Sequence, residues 1–489
     1  MIEDELTYCI AQELGFPPTD DQQNAMRVFA DFMVSEAQMP VMLVRGSAGT
    51  GKTTLAGAIV RAMVSLKQRV VLMAPTGRAA KVFARNSGRP ACTIHRMIFR
   101  EQTFSGIGGR FTLDINRLSG ALFFVDEGSM VANQGDGRAV FGTGRLLDDL
   151  ITYVYSGRRC RLVIIGDTAQ LPPIGEEESP ALSPDVLRSY GLEVFHCDLT
   201  EVLRQQSQSG ILYNATRIRD LIAAFPTDGL PKIKFNGFAD LRLVRSNELM
   251  ELIDESYHRV GMDEVIVVTR SNKRAGIYNQ GIRQVVLDRD AVLCPDDRIM
   301  VVKNRYLAPT GIAQRPKAAD EEAQGMSFIA NGDRARVVRV RHERELYGFR
   351  FADVTLEFPD YDDQELTQTV ILDSLFTDAP ALTSAQNEEL YYKVLEDYAD
   401  VRLKSERMKK IREDSYFNAL QIKYAYSVTC HKAQGGQWSH VYLDQGYMPE
   451  GSVTPDYIHW LYTAFTRATE CLYLISWPRN QAEDMPEDD

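Results

Sequence analysis

A glycine-rich run near the N-terminus combines the residue types that bind phosphate groups. Residues 46–53 read Gly-Ser-Ala-Gly-Thr-Gly-Lys-Thr and match the pattern G-x-x-x-x-G-K-[ST] in full. The glycines let successive backbone N–H groups point at phosphate oxygens, Lys52 supplies positive charge, and the Thr53 hydroxyl ligates Mg²⁺. An apolar run precedes the loop and a helical pattern follows it, which favours a binding loop over a chance match. The predicted nucleotide-binding residues are Gly46, Ser47, Ala48, Gly49, Thr50, Gly51, Lys52, Thr53 and Thr54.

An acidic pair at the end of another apolar run provides a second contact for the metal. Residues 122–125 read Leu-Phe-Phe-Val and are followed directly by Asp126 and Glu127. A buried strand that ends there would place Asp126 where it holds Mg²⁺ through water, while Glu127 orients or deprotonates the attacking water. Taken alone, such a pair is also typical of a solvated strand end. The phosphate loop upstream favours the catalytic interpretation.

A polar turn after a further apolar run contains an amide that can sense a terminal phosphate. Residues 161–165 are followed by Gly166, Asp167 and then Gln170. The side chain of Gln170 can hydrogen-bond to a γ-phosphate oxygen. An ordinary turn stopped by Pro172 and Pro173 fits the same segment in isolation.

The spacing of the apolar runs predicts the elements that position these groups. Short continuous apolar runs that end at Gly, Pro or Asp are typical of strands buried on both faces of a parallel sheet. Such runs alternate with helical patterns in the first 200 residues, and the alternation resumes further along the chain. The predicted strands are 41–45, 70–74, 122–125 and 161–165 in the first region, and 264–269, 424–428, 441–444 and 472–476 in the second.

Two insertions interrupt this alternation. A glycine turn within 104–111 lies between two short strands and predicts a small hairpin. Between 289 and 423, the short strands 298–302, 335–340, 349–357 and 367–372 predict a small antiparallel barrel. A helix follows, and Thr383 with Gln386 predicts its capping box. The fold class is therefore α/β, with two tandem domains built on parallel sheets, an inserted hairpin and an inserted barrel.

The composition predicts a cytoplasmic globular protein of several domains. The chain has 489 residues, which is too many for a single hydrophobic core. Its content of 44% apolar and 25% charged residues is ordinary for a soluble globular protein. No window approaches the roughly 20 apolar residues that span a bilayer, and the acidic first residues differ from a signal peptide. The seven cysteines are scattered, so free thiols are expected. The net charge of -12 argues weakly against nucleic acid, although an average charge does not exclude a local basic channel.

Seven segments in collinear order resemble the superfamily 1 helicases, and within them the RecD-like and Dda-like branch. The order is more specific than any single motif, and it covers nearly the whole chain. The resemblance implies an ATP-dependent DNA helicase that moves 5′ to 3′ on single-stranded DNA. The segments are 46–53, 74–80 (Ala-Pro-Thr-Gly-Arg-Ala-Ala), 126–130 (Asp-Glu-Gly-Ser-Met), 166–170 (Gly-Asp-Thr-Ala-Gln), 203–205 (Leu-Arg-Gln), 431–435 (His-Lys-Ala-Gln-Gly) and 462–468 (Tyr-Thr-Ala-Phe-Thr-Arg-Ala).

The resemblance assigns further residues to an ATP and Mg²⁺ site between two RecA-like domains. Arg204 and Arg467 would come from the second domain as arginine fingers, which stabilise charge on the transferred phosphoryl group. Gln22, in Thr-Asp-Asp-Gln at 19–22, resembles the position that reads adenine in this family. Gly435 joins the nucleotide-binding set. The sequence departs from the family pattern at Gly128 and at the run Gly-Gln-Trp at 436–438. These departures put in doubt how efficiently ATP hydrolysis is coupled to movement along DNA.

The resemblance also implies contacts with single-stranded DNA that do not read sequence. The hairpin matches the pin that splits the duplex, with Phe104 or Phe111 as the separating ring, although ordinary packing fits either ring as well. A structural role likewise fits each histidine, and Trp438 is expected to pack in the core or between domains. The remaining DNA contacts implied are Pro75, Thr76, His95, Thr429 and His431.

The expected units and partners follow from the same family layout. We expect a monomer that binds single-stranded and tailed duplex DNA, with a single-strand-binding protein or a replication or repair protein as a further partner. No membrane contact is expected. The units are RecA-like domain 1A at 1–95 and 118–203, the pin 1B at 96–117, RecA-like domain 2A at 204–288 and 424–489, and an SH3-like domain 2B with a helical extension at 289–423.

Two other functions are weighed against this one. An RNA or RNA–DNA helicase belongs to the same branch, and strand preference in a tailed-duplex assay separates it from a DNA helicase. A non-enzymatic DNA-binding subunit of a recombination or conjugation complex would have lost its ATPase residues. That alternative is disfavoured, because Lys52, Asp126, Glu127, Gln170 and both arginines are present.

Overall fold

The computed structural model describes residues 2–102, 110–135, 141–201, 209–225, 229–307, 328–448 and 453–484. Two parallel sheets and a closed five-stranded barrel organise these residues. The predicted α/β class with an inserted small barrel is therefore confirmed. Within the described part of the chain, no helix has the length and apolar character to cross a membrane.

The first lobe is built on a six-stranded sheet in the order β3-β2-β6-β7-β1-β8, and all its neighbouring strands are parallel. The carboxyl ends of parallel strands share one edge, so the segments that follow β1, β2, β6 and β7 meet there. The strands in this part of the chain are β1 (Pro40–Gly46), β2 (Val70–Ala74), β3 (Ala91–Thr93), β4 (Phe99–Gln102), β5 (Arg110–Leu113), β6 (Leu122–Val125), β7 (Arg161–Gly166) and β8 (Glu193–Leu199).

Helices cover both faces of this sheet and bury two apolar clusters. One cluster contains Phe29, Ile59 and Phe124, and the other contains Phe123, Leu150 and Ile164. Because adjacent residues of β6 point to opposite faces, Phe123 and Phe124 enter different clusters. The helices are α1 (Ile2–Leu14), α2 (Asp20–Val34), α3 (Lys52–Ser65), α4 (Gly77–Ser87), α5 (Ile94–Ile98), α6 (Leu146–Ser156) and α7 (Pro184–Ser189).

The predicted hairpin is present as the antiparallel pair β4 and β5, which lies between α5 and β6. Phe99 pairs with Leu113, and Glu101 pairs with Phe111. Residues 103–109, which include Phe104, lie outside the described residues.

The second lobe begins with α8 (Gly210–Ala223) and continues through α9 (Leu249–Val260) and α10 (Asn272–Gly281). Its five-stranded sheet has the order β10-β21-β20-β11-β19, again with parallel neighbours. The chain leaves this lobe after β11 and α10 and returns at β19. The lobe's strands are β9 (Ile233–Lys234), β10 (Leu241–Val244), β11 (Val265–Thr269), β19 (Ser427–Thr429), β20 (Trp438–Asp444), β21 (Ala468–Ile475) and β22 (Ala482–Asp484).

The barrel is formed by β12, β15, β16, β17 and β18, with β18 closing it against β12. One apolar cluster joins its interior, including Ile299, Val337 and Val354, to Val265 and Val267 of the second sheet. The barrel therefore shares a core with the second lobe. Its strands and the nearby pair β13–β14 are β12 (Arg298–Val301), β13 (Arg305–Tyr306), β14 (Phe328–Ile329), β15 (Arg334–Leu346), β16 (Phe349–Phe358), β17 (Gln364–Ile371) and β18 (Leu420–Tyr424).

Four further α-helices lie in the described residues after the barrel strand β17. The predicted capping box is present at α11, where Thr383 accepts from the backbone of Gln386 and the Gln386 side chain accepts from the backbone of Thr383. The helices are α11 (Ser384–Asp397), α12 (Lys404–Glu413), α13 (Cys430–Ala433) and α14 (Pro455–Phe465).

Candidate nucleotide site and interlobe cleft

The phosphate loop lies between β1 and α3, at the carboxyl edge of the first sheet. Gly49 and Gly51 have φ angles of 81° and 78°, which favour glycine. A Cβ at Gly46 would lie 2.8 Å from the Leu199 carbonyl oxygen, so this position also requires glycine. The Lys52 Nζ donates to the Ser47 carbonyl oxygen at 2.8 Å. The loop therefore has the turn that phosphate binding needs, with its lysine held across it.

Gln22 contacts the backbone of this loop. Its Nε2 donates to the Thr50 carbonyl oxygen at 3.4 Å, and its Oε1 accepts from the Thr19 N–H at 3.2 Å in the capping box of α2. The side chain is fully buried. Gln22 thus anchors α2 to the phosphate loop, and the reading of adenine stays a prediction.

Asp126 and Glu127 follow β6 at the same edge. Burial, together with the charge of Glu127, raises the pKa of Asp126 to about 7. A divalent cation beside Asp126 would stabilise its ionised carboxylate and so offset the effect of burial. Carboxylate and hydroxyl oxygens are ligands that Mg²⁺ prefers, so Asp126 and Thr53 fit a magnesium ion. Glu127 has a φ of 54°, a conformation that non-glycine residues rarely adopt and that is typical of functional sites.

Gly128 is required by packing at this turn. A Cβ at Gly128 would lie 2.6 Å from Cγ2 of Ile164 and 3.1 Å from Cδ2 of Leu182. The departure from the family pattern at Gly128 therefore has a packing cause, because β7 and Leu182 fill the space that a side chain would occupy.

Gln170 follows β7 with an unsatisfied acceptor. Its buried Oε1 has no hydrogen-bond partner within the described ranges. Next to it, the Leu171 N–H donates to Oγ1 of Thr463 at 2.7 Å and the Leu171 carbonyl accepts from Gln434 Nε2 at 2.9 Å. The segment thus docks onto the second lobe, while its amide oxygen is left for a water molecule or ligand.

Tyr462 of α14 connects the two lobes at the phosphate loop. Its hydroxyl accepts from the Ala48 N–H at 2.9 Å and donates to Oδ2 of Asp167 at 2.6 Å. Burial and the charge of Asp167 hold the pKa of Tyr462 well above its ordinary value, so the hydroxyl keeps its proton.

Of the two predicted arginine fingers, the described residues include Arg467. Arg204 lies outside the described residues. Arg467 is 2% exposed, and its guanidinium donates to the Thr463 carbonyl, the Gly436 carbonyl and the Thr466 hydroxyl at 2.9, 3.0 and 3.0 Å. Arg467 is thus held by its own lobe, and a contact with phosphate would require these bonds to change.

Two of the predicted DNA contacts occupy equivalent places in the two lobes. Thr76 follows β2 and caps α4, and Thr429 ends β19 and precedes α13. Pro75 lies beside Thr76, His431 is exposed on α13, and a Cβ at Gly435 would lie 3.3 Å from the Thr76 hydroxyl. Thr76 and Gly435 therefore approach each other across the cleft. Thr53 and Thr54 lie in the first turn of α3, as expected.

His95 and Phe111 belong to one aromatic cluster at the base of the hairpin. The ring of His95 lies 4.8 Å from that of Phe141, and the ring of Phe111 lies 5.0 Å from it. Burial lowers the pKa of His95 to about 4, so this side chain is neutral at pH 7. Phe111 is buried, which favours the packing interpretation of this ring over contact with DNA.

Arg78 of α4 forms a contact with the second lobe through Trp438. Its guanidinium carbon lies 4.4 Å from the ring centroid of Trp438, and its Nη2 donates to the Gln437 carbonyl at 2.6 Å. Trp438 is buried, as expected of a packing residue, and a Cβ at Gly436 would lie 2.4 Å from its ring. Beside this contact lies a cavity of about 890 Å³, lined by the cations Arg78, Lys81, Arg85, Arg89, Arg298 and Arg334 and the acids Asp263, Glu264 and Asp360.

Two lysines lie beside Thr429 on the second lobe. Lys423, Lys432 and Thr429 line a common small pocket. Burial lowers the pKa of each lysine to about 8, and the charge of Lys423 adds to the effect on Lys432. Sequence reasoning missed this pair because the two residues come from different elements, β18 and α13. It also gave no role to Tyr462, although the residue lies inside a recognised segment.

Parts of the chain match two protein families. Residues 31–176 match the AAA domain family, and residues 424–475 match the UvrD-like helicase C-terminal domain family. The first match contains the phosphate loop, Asp126 and Gln170, and the second contains Gly435, Tyr462 and Arg467.

Several known proteins are similar to this chain. The ATP-dependent RecD2 DNA helicase of Deinococcus radiodurans is 33% identical over 35% of this chain and 23% of its own length. The ATP-dependent DNA helicase dda of Enterobacteria phage T4 is 28% identical over 56% of this chain and 58% of its own length. An uncharacterized protein of Methanocaldococcus jannaschii is 23% identical over 93% of this chain and 38% of its own length. The chain thus spans less than two thirds of each of these relatives.

Among solved structures, a Bacteroides Pif1 helicase in complex with ADP-AlF3 and ssDNA aligns over 96% of this chain and 95% of its own, at 14% identity and a TM-score of 0.46. At this level of similarity no residue role is transferred from it.

Proposed function

We propose that this chain is a superfamily 1 helicase of the Dda/RecD-like branch, which hydrolyses ATP to move 5′ to 3′ along single-stranded DNA and to separate the duplex ahead. The proposal rests mainly on the meeting of the phosphate loop, Asp126, Glu127 and Gln170 at one sheet edge, with Tyr462 of the second lobe bonded to the loop. A cleft of this kind can close on ATP and open after hydrolysis.

The residues at the sheet edge have distinct roles in the proposed reaction. Lys52 would leave the Ser47 carbonyl to bind the β- and γ-phosphates. Thr53 and Asp126 would hold Mg²⁺, which supplies positive charge to the phosphate oxygens. Glu127 would accept the proton of the attacking water, and the free Oε1 of Gln170 would accept its second hydrogen to orient it. The water oxygen bonds to the γ-phosphorus as the bond to the β–γ bridging oxygen breaks.

The proposed strand path runs over the carboxyl edges of both sheets. Thr429 and the lysines 423 and 432 would contact the strand on the second lobe, and Pro75 and Thr76 would contact it on the first. Hydroxyls, amides and ammonium groups at these positions bind the backbone and not the bases, which suits a motor that moves over any sequence. The 5′-to-3′ direction rests on the family alone.

Unwinding of matched 5′-tailed and 3′-tailed DNA duplexes tests this proposal, with Lys52→Ala as the control. We expect strand separation of the 5′-tailed substrate, ATP hydrolysis stimulated by single-stranded DNA, and loss of both in Lys52→Ala while single-strand binding remains. Unwinding only from a 3′ tail would contradict the direction. Preference for an RNA tail would point to the RNA alternative, and DNA binding without hydrolysis to an accessory subunit.

A further inference from the structure

One arginine of the second lobe reaches the phosphate loop directly. Arg219 lies in α8, and its Nη1 donates to Oγ of Ser47 at 2.7 Å. The remaining nitrogens, Nε and Nη2, lie 3.3 and 3.1 Å from Oδ1 of its neighbour Asp220. The side chains of Arg219 and Asp220 are 28% and 64% exposed, and an exposed ion pair of this kind holds a side chain only weakly. The contact with Ser47 is therefore the main hydrogen bond that holds this guanidinium.

Two cations converge on Ser47 from opposite lobes. Lys52 donates to its carbonyl at 2.8 Å, and Arg219 donates to its hydroxyl. An anion bound at the loop would be attracted to both cations. The terminal phosphate of a nucleotide in this loop would supply that anion, since Lys52 is predicted to bind the β- and γ-phosphates.

Arg219 is more accessible to a bound nucleotide than the predicted finger Arg467. Arg467 is buried and donates three hydrogen bonds within its own lobe. Arg219 is partly exposed and makes its contact across the cleft, next to the Tyr462 hydroxyl that bonds to Ala48. Nothing in the sequence distinguishes Arg219 from other basic residues of an amphipathic helix.

We propose that Arg219 is a further nucleotide-contacting residue, which exchanges the Ser47 hydroxyl for the γ-phosphate when ATP binds. The inference rests on the proposed ATPase function and adds a residue outside its recognised segments. A guanidinium presents several N–H donors in a planar fork that matches phosphate oxygens. Since ADP lacks the γ-phosphate, Arg219 would strengthen the binding of ATP over ADP and draw α8 toward the first lobe.

The test compares affinities for a non-hydrolysable ATP analogue and for ADP, both with Mg²⁺, by calorimetry on the full chain. In Arg219→Ala the preference for the analogue is expected to fall about 10-fold, the scale of a charge-assisted hydrogen bond, with ADP affinity unchanged. Arg219→Lys should restore part of the preference. Arg217→Ala is the matched control, because Arg217 lies on the same helix but pairs with the exposed Glu483.

Asp220→Ala separates a phosphate contact from a contact held by the ion pair. This variant removes the partner of Arg219 Nε and Nη2 without changing the phosphate loop, so the preference for the analogue should be retained. If Arg219→Ala leaves the preference unchanged, lowers both affinities equally, or is reproduced by Asp220→Ala, the assignment is wrong. Wild-type protein without DNA-stimulated hydrolysis would overturn the proposed function, and the two affinities would still test Arg219.

Discussion

The hydroxyl of Tyr462 bonds to two groups of the other lobe, and its removal takes away both bonds. Tyr462→Phe keeps the buried ring but leaves the Ala48 N–H and Oδ2 of Asp167 unsatisfied, while Oδ1 of Asp167 still accepts from the Ala169 N–H. An unpaired buried group costs about 1–3 kcal/mol, so the free energy of unfolding should fall by about that amount. Denaturant titration followed by circular dichroism measures this change.

Tyr447→Phe is the matched control for this substitution. Tyr447 belongs to the same lobe and is 87% exposed, so its variant should stay within about 0.5 kcal/mol of the wild type. If the two variants are equally stable, water satisfies the Ala48 and Asp167 groups and the bridge contributes little.

Single residues were predictable from sequence where they lie in a local pattern. Lys52, Asp126 and Gln170 each follow a recognisable apolar run, so their placement at one sheet edge follows from strand geometry. Gln22 and Gln386 share the spacing Thr-x-x-Gln, and both form capping boxes, but only Gln22 also touches the phosphate loop. The burial of Arg467 depends on carbonyls and hydroxyls brought in by packing, which no local pattern encodes.

At the scale of elements, helix α4 links the two lobes through its first turn. Its cap, Thr76, is a predicted DNA contact, and Arg78, two residues later, stacks on Trp438 next to Gly436. A desolvated cation–π contact is worth up to about 2 kcal/mol, which corresponds to a factor of about 30 in an equilibrium. Arg78→Ala should therefore reduce the stimulation of ATP hydrolysis by single-stranded DNA about 10-fold or more, measured by phosphate release, while hydrolysis without DNA changes little.

Arg85→Ala is the control on the same helix, because Arg85 is exposed near the end of α4 and lines the same cavity. It should keep the stimulation seen in the wild type. Equal loss in Arg78→Ala and Arg85→Ala would indicate that the helix acts through its total charge and not through the contact with Trp438.

Most strands were predictable because their apolar runs are continuous, and the exceptions have physical causes. The run at 424–428 was expected as one strand, yet β18 ends at Tyr424 in the barrel and β19 begins at Ser427 in the second sheet. Hydropathy does not mark this break, because the two units share one apolar core. The edge strand β8 escaped detection since it is half exposed and carries charged residues within its apolar positions.

For the whole molecule, the net charge of -12 conceals locally positive surfaces. The pair Lys423 and Lys432 lies beside Thr429, on the proposed strand path. Both lysines have pKa values lowered to about 8, so they are largely charged at pH 7 and largely neutral at pH 9. A phosphate beside them would favour the charged form and raise both pKa values.

DNA affinity should therefore fall as pH rises from 7 to 9. Binding is favoured when both lysines are protonated, so it is strongest below a pH of about 8 and weakens above it. Each phosphate neutralised on a single strand contributes about -0.7 to the slope of log affinity against log salt, so losing two should make the slope shallower by up to about 1.4. Fluorescence anisotropy of a labelled single strand at several salt concentrations measures both effects.

The double variant Lys423→Gln, Lys432→Gln should show the shallow slope at both pH values. An equally strong pH effect in that variant would place the titrating groups elsewhere.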